Sequence, residues 1–247
     1  MASNHSEPGR DARHHALEQV GAKGQARIAA GSALLIGAGG IGCAAGQYLV
    51  SSGVGRVVIC DFDSIDATNL GRQVLFGPQD IGKSKVRVAG SRLAAANPNV
   101  DITIIDSRMD DAQLAAAVAK VDVVLDGSDN FSTRFQVNDA CVAAGRRLVS
   151  GAAIRLEGQI AVFGPDYSKS PCYRCLYSEA DESLENCAGN GVLAPVPGVV
   201  GTLMAVEALK TLAGIEVSTG VLRLYDGHSS EFHSIAVKKR SDCSACQ

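Results

Sequence analysis

Two sets of residues in this sequence carry chemistry by their type and spacing. Cys172-Tyr-Arg-Cys175 and Cys243-Ser-Ala-Cys246 each separate two thiols by two residues, so each pair can grip one tetrahedral ion. Four thiolates leave a bound Zn2+ no open position, which makes the predicted site a structural staple; a pair of redox dithiols is the alternative. The second set is Gly37-Ala-Gly39-Gly40-Ile-Gly42, flanked by an apolar run and a small-residue run. Such a turn opens a helix whose unpaired amides and dipole favour an anion. Gly37 permits the tight turn, Gly39 lets backbone approach a phosphate, and Gly42 lets helix and strand pack closely. Asp61 ends the next apolar run, about 20 positions on, where a carboxylate can accept ribose hydroxyls. The turn alone leaves NAD, FAD and ATP open.

Arg72, Lys85 and Asp129 are the candidates for phosphate and metal. Adenylyl transfer, unlike hydride transfer, needs cations because charge builds on the departing pyrophosphate. Arginine can hold phosphate oxygens in a fork, lysine acts as a point charge, and an aspartate at a strand end can hold Mg2+. Each is otherwise a solvated charge or a cap. Cys187, alone in Leu-Glu-Asn-Cys-Ala-Gly-Asn-Gly, is either a nucleophile or acceptor of an acyl or sulfur group, or an unreactive loop thiol. Cys43, Cys60 and Cys141 lie in or beside apolar runs and are expected in the core.

The elements that must position these residues alternate. Strands are predicted at 33–36, 57–59, 102–105, 121–125 and 147–149, with helices from the glycine turn to about Ser52 and over 82–96, 111–119 and 130–144. Asn130 or Asp129 can cap the last of these. After Gly151 the pattern changes to strands at 158–163, 221–225 and 231–237, the last two flanking a turn at Asp226-Gly227-His228. The expected fold is α/β: a Rossmann-like, mostly parallel sheet flanked by helices, with an antiparallel C-terminal extension. Residues 1–247 are expected to form a single domain, with an N-terminal arm over 1–30 that is helical from about Leu17. A mobile crossover loop is expected over 178–195, and a helix over 199–212.

Composition narrows the function classes. Hydrophobic residues make up 46% and charged residues 20%, which argues for a packed core rather than disorder. A net charge of −3 and the absence of Trp speak against a nucleic-acid surface. Met1–His15 lacks an apolar signal core, and the apolar run 192–208 is broken by prolines and glycines. A cytoplasmic chain without a membrane span, its thiols reduced, is the expectation.

Taken together, these motifs resemble the ThiF/MoeB/HesA family, ATP-dependent activators of ubiquitin-like sulfur-carrier proteins. The likeness extends over residues 10–246. It rests on the glycine turn, Asp61-Phe-Asp63, Asn69-Leu-Gly-Arg72-Gln73, the Lys83/Lys85 helix, Asp126-Gly-Ser-Asp129-Asn130, Ser150-Gly-Ala-Ala and both cysteine pairs. The resemblance implies a homodimer that binds Mg·ATP. Asp61, with Asp63 beside it, would hold the ribose and Gly40 the phosphate turn. Asn69, Arg72, Gln73 and Lys85 would hold the phosphates, and Asp129, flanked by Asn130, would hold Mg2+. The carrier's C-terminal Gly-Gly carboxylate would attack the α-phosphate, and a persulfide donor would then convert the acyl-adenylate to a thiocarboxylate. In the thiamine branch the position of Cys187 is linked to the activated carrier.

The family's arm usually reads Arg-Tyr-x-Arg-Gln, its second arginine reaching the partner's nucleotide. Here the register is Arg10-Asp-Ala-Arg13-His14, which keeps both arginines, Arg13 as the one that reaches across, and loses the Tyr and Gln. Gly151-Ala-Ala-Ile-Arg-Leu-Glu-Gly-Gln is similar to the molybdopterin-type activator, and Leu222-Arg-Leu-Tyr-Asp-Gly-His-Ser-Ser to the thiamine-type one. The competing readings are a non-catalytic carrier-binding protein of the same fold and an NAD-dependent oxidoreductase.

Overall fold

Short apolar runs that are buried on both faces build the central sheet. In β1 (Ser32–Ile36), Ala33 and Leu35 face one helical layer while Leu34 and Ile36 face the other. The same two-sided burial recurs in β2 (Arg56–Cys60) and β4 (Val123–Asp126), as parallel strands covered by helices require. The computed structural model describes residues 9–178 and 191–247. Its single eight-stranded sheet has the order β3-β2-β1-β4-β5-β6-β7-β8. The parallel part runs through β3 (Asp101–Ile105) to β5 (Arg147–Ile154). The antiparallel part adds β6 (Glu157–Phe163), β7 (Val221–Asp226) and β8 (Glu231–Ala236).

The helices divide between the faces. On one lie α2 (Gly21–Ala30), α3 (Gly40–Ser51), α4 (Lys85–Ala96) and α8 (Pro195–Ala213), after α1 (Ala12–His15) in the arm. On the other lie α5 (Asp111–Ala119), α6 (Phe131–Ala144) and α7 (Tyr173–Leu176), together with the cysteine pairs. Strand order reverses between β1 and β4, and a crevice at the C-terminal ends of such strands is where α/β sheets bind ligands.

Three elements differ from the sequence expectation. The arm helix does not start near Leu17: residues 17–20 form a turn, and Gly21, at φ 55°, begins α2. β5 continues to Ile154 rather than ending at Val149, because a two-residue connection at Arg155-Leu156 folds β6 back along it. Arg155 takes φ 54° there, a conformation that no Asn-Gly signal announces. α8 begins at Pro195 rather than Val199, since proline lacks only an N–H that the first turn leaves unpaired anyway. By length and composition α8 could cross a membrane, yet half of it is buried against the sheet and α3, and it carries a buried Glu207. It is a core helix.

Candidate functional site

The loop after β1 leaves the sheet through Gly37, whose φ of 90° suits glycine. α3 follows with Gly39 at its N-cap and no side-chain cap, so its first-turn amides have no intrahelical partners. Gly42 stands inside the helix where a Cβ would lie 1.9 Å from the Gly37 carbonyl oxygen. Its place is the helix–strand contact, and it is not among the residues that line the crevice.

A cavity of about 510 Å³ opens beside this turn. Gly37, Gly39, Gly40, Asp61, Asp63, Asn69, Arg72, Gln73, Lys85, Asp129 and Asn130 all line it, so the structure brings these predicted residues into one wall. Asp61 directly follows β2; its Oδ2 accepts the Ala38 amide at 2.7 Å and its Oδ1 the Asp63 amide at 2.8 Å. Burial raises its carboxyl above the usual range, and those two amides offset part of the rise.

The segment from Asp61 to Ser84 forms no regular strand; its ends pair through Ile65 with Gly82 and Lys83, and short-range bonds order what lies between. Asp66 caps a 3-10 turn at Ala67–Asn69, and the Asn69 side chain accepts the Asp66 amide at 3.2 Å. That turn presents Arg72, whose Nη1 donates to the Thr68 carbonyl at 2.9 Å. Gln73 is buried, and its Oε1 has no hydrogen-bond partner among the described residues. Farther on, buried Asp80 takes the Gly77 amide, Lys83 and Arg92, fixing the loop to α4. Lys85 opens α4 behind the Ser84 cap; its ammonium is buried and meets Asp63 at 2.8 Å.

Beyond β4, Asn130 caps α6 by accepting the Thr133 amide at 2.8 Å. Asp129 is exposed beside it, 3.3 Å from the Asn130 amide nitrogen. Asp126 is buried, its Oδ1 accepting the Ser128 amide at 3.0 Å, and burial raises its carboxyl. The cavity then continues past Ala152, Ala153, Gln159 and Tyr177 over the β5–β6 strands. Sequence reasoning gave no role to Gln159, Tyr177, Arg108 or Arg134, all of which line the cavity. Gln159 ends the Gly151–Gln159 stretch without a role of its own there, the other three sit in no motif, and the fold brings all four to this wall.

The four-cysteine cluster lies on the other side of α6. Its Sγ atoms all fall within 4.8 Å of one another, with Cys172–Cys243 at 3.6 Å and Cys175–Cys246 at 3.5 Å. These separations are far too long for disulfides. They match the edge of about 3.8 Å of a tetrahedron with zinc–sulfur arms of ~2.3 Å. Donors already point at the sulfurs: the Arg240 amide to Cys175 at 3.4 Å and Lys239 Nζ to Cys246 at 3.3 Å. The donor set fits Zn2+. Arg13 is exposed on α1 and absent from this chain's own cavity wall. Cys187, with most of the expected 178–195 loop, lies outside the described residues.

The ThiF family model matches residues 12–245. The chain belongs to the ThiF family. Sulfur carrier protein ThiS adenylyltransferase from Escherichia coli (strain K12) is 42% identical over 230 residues, covering 93% of this chain and 91% of that protein. Molybdopterin-synthase adenylyltransferase from the same organism is 43% identical over 224 residues, 90% of each. Among solved structures, E. coli MccB with ATP aligns with a TM-score of 0.83 at 25% identity, over 99% of this chain and 75% of that one. Family membership thus confirms the resemblance drawn from the motifs, and the near-equal likeness to both E. coli enzymes keeps both branches in view.

Proposed function

We propose that this ThiF-family chain adenylates the C-terminal Gly-Gly carboxylate of a ubiquitin-like sulfur-carrier protein, preparing it for thiocarboxylate formation. The names of the two E. coli relatives support the substrate class. The observation that carries the chemistry is the convergence of the glycine turn, Asp61, Arg72, Lys85 and Asp129 on one cavity. An oxidoreductase would have no use for that cation set, and a mere binding protein no need of it.

ATP would lie with its phosphates over the α3 N-terminus, where free amides and the dipole favour negative charge. The Asp61 carboxylate has lone pairs left for ribose hydroxyls beyond the two amides it accepts. Asn69 and Gln73 line the cavity and would donate from their side-chain amide nitrogens to phosphate oxygens. Asp129 would hold Mg2+, which supplies charge neutralisation on the polyphosphate.

The carrier's tail would enter along Ala152, Ala153 and Gln159, where small side chains leave room for an extended chain. One carboxylate oxygen attacks the α-phosphorus, the bond from that phosphorus to the bridging oxygen breaks, and pyrophosphate leaves with the electron pair. Arg72 and Lys85 would face the charge that grows on the leaving group, Lys85 exchanging its Asp63 partner for phosphate. We read the active form as a cytoplasmic homodimer in which Arg13 reaches the partner's nucleotide. A persulfide donor then supplies sulfur, and Cys187 is the candidate to hold the activated carrier.

Arg72→Ala tests the assignment. Adenylation should fall by about 100-fold or more, the scale of losing one transition-state cation or donor, while carrier binding by calorimetry stays within about twofold. Unchanged adenylation would remove Arg72 from the chemistry.

A further inference from the structure

Helix α6 touches both centres. Asn130 of the Asp126–Asn130 loop caps its N-terminus, and its buried face packs against the cysteine knuckle at Cys172–Cys175. Two polar side chains on that face, Arg134 at 3% and Asn138 at 0% exposure, are almost wholly buried and stand one helical turn apart. Buried polar groups of this kind are costly unless fully engaged, and both are. Arg134 donates from Nε and Nη2 to the Ser128 carbonyl at 3.2 and 2.8 Å. Its Nη1 donates to the Tyr173 hydroxyl at 3.4 Å. Asn138 accepts the Tyr173 amide at 2.8 Å and reaches from Nδ2 toward Cys172 Sγ at 3.8 Å.

We propose that Arg134 and Asn138 form a strut from the four-cysteine centre to the Asp126–Asn130 loop, so that zinc and Mg·ATP strengthen each other's binding. The inference rests on the reading that Asp129 serves the metal–nucleotide complex. The loop leaves β4 with the Gly127 amide donating to the Ile36 carbonyl at 3.0 Å, and beyond that point its ties run to α6: the Ser128 carbonyl takes Arg134 at 2.8 Å and Asn130 caps the helix. The guanidinium of Arg134 therefore sets where Ser128, and hence the adjoining Asp129, sits. At the other end α7 is a four-residue helix, too short to hold Tyr173 by itself. Tyr173 stays in place because the cysteines on either side of it are drawn together and its ring packs on Phe135 and Phe163. Metal at the cysteines fixes Tyr173, Tyr173 and Asn138 fix α6, and Arg134 fixes the loop. Arg134 is a positioning residue in this account, acting through Ser128.

Because binding couplings are reciprocal, one factor must appear in two measurements. On the zinc-loaded protein, competition with a chromogenic chelator should show zinc held about tenfold more tightly with saturating Mg·ATP, within the ~5–150-fold usual for coupled sites. Calorimetry should show ATP bound about tenfold more weakly to chelator-stripped than to zinc-loaded protein. Arg134→Met, which keeps the stem and removes the donors, should reduce both factors to less than about twofold. If that variant does not fold, Tyr173→Phe, which deletes one hydroxyl, should lower the factor to about threefold, one hydrogen bond's worth. Zinc affinity indifferent to Mg·ATP in the wild type would overturn the strut, as would full coupling in a folded variant. Failure of the zinc-loaded wild type to bind ATP at all would instead overturn the functional reading on which the strut rests.

Discussion

In the crevice the protein itself partners the ionisable groups: Lys85 meets Asp63 at 2.8 Å, and Asp61 takes two backbone amides at 2.7 and 2.8 Å. In the cysteine centre four thiols face one another at 3.5–3.6 Å across the closest pairs, and burial pushes the Cys172 thiol up. Those sulfurs can ionise together only around a cation. The crevice is thus preorganised before ligand arrives, whereas the cysteine centre is completed by what it binds. One is made of neighbouring strand ends, the other of segments 172–175 and 243–246 that only the whole fold brings together. On the proposed reading, function sits on the first and depends on the second for its frame.

The sharpest way to break this contrast is to take the metal away. Cys243→Ser should leave less than one zinc per chain by elemental analysis. If the site returns even a third of the ~10–16 kcal/mol typical of structural zinc, Tm should fall by roughly 10–20 °C. A metal-free wild-type protein with unchanged Tm would contradict the staple.

Gly42→Ala attacks the crevice from behind. A Cβ placed 1.9 Å from the Gly37 carbonyl must displace backbone, so the cost should be about 3 kcal/mol, or roughly 6–12 °C in Tm, with ATP binding lost as the turn shifts. Zinc content should not change, because the cysteines lie on the other face of the sheet.

The smallest effect is a pH dependence. Burial raises the Asp61 carboxyl, so it protonates at a pH above the ordinary carboxylate range. Only the ionised form can accept two ribose hydroxyls, so ATP affinity should already decline on mild acidification. The folded state takes up this proton before the unfolded chain does. Asp61 therefore lowers stability as pH rises from its unfolded to its folded value. Asp61→Asn should remove the acid limb of ATP binding and flatten that part of the stability profile; an unaltered limb would assign it elsewhere.

The crevice was legible in the sequence because its determinants are local. Gly37 to Gly42 and Asp61 follow one another within a single strand–helix–strand unit, and Asn130 caps its helix by accepting the amide of Thr133, three residues on. The cysteine pairs were legible for a different reason: two thiols held two residues apart, twice over, suit one tetrahedral ion, and the fold gathers all four sulfurs within 4.8 Å of one another as that reading requires. What sequence did not disclose depends on long-range geometry. The full length of β5 depends on its pairing with β6, and its Gly151-Ala-Ala run has little strand character of its own. Arg134 belongs to no motif in the sequence, and only the fold buries it between Ser128 and Tyr173. The arm broke at Gly21, where Ala, Gln and Arg around it favour helix but the left-handed backbone does not.

The central claim is adenylation of a carrier tail, and pyrophosphate–ATP exchange measures it directly. Zinc-loaded protein should catalyse exchange only when a small carrier ending in Gly-Gly is present, and Asp129→Ala should lower the rate by about 100-fold or more. ATP binding without exchange, across carriers of both the thiamine and molybdopterin types, would contradict the account and leave a carrier-binding protein in its place.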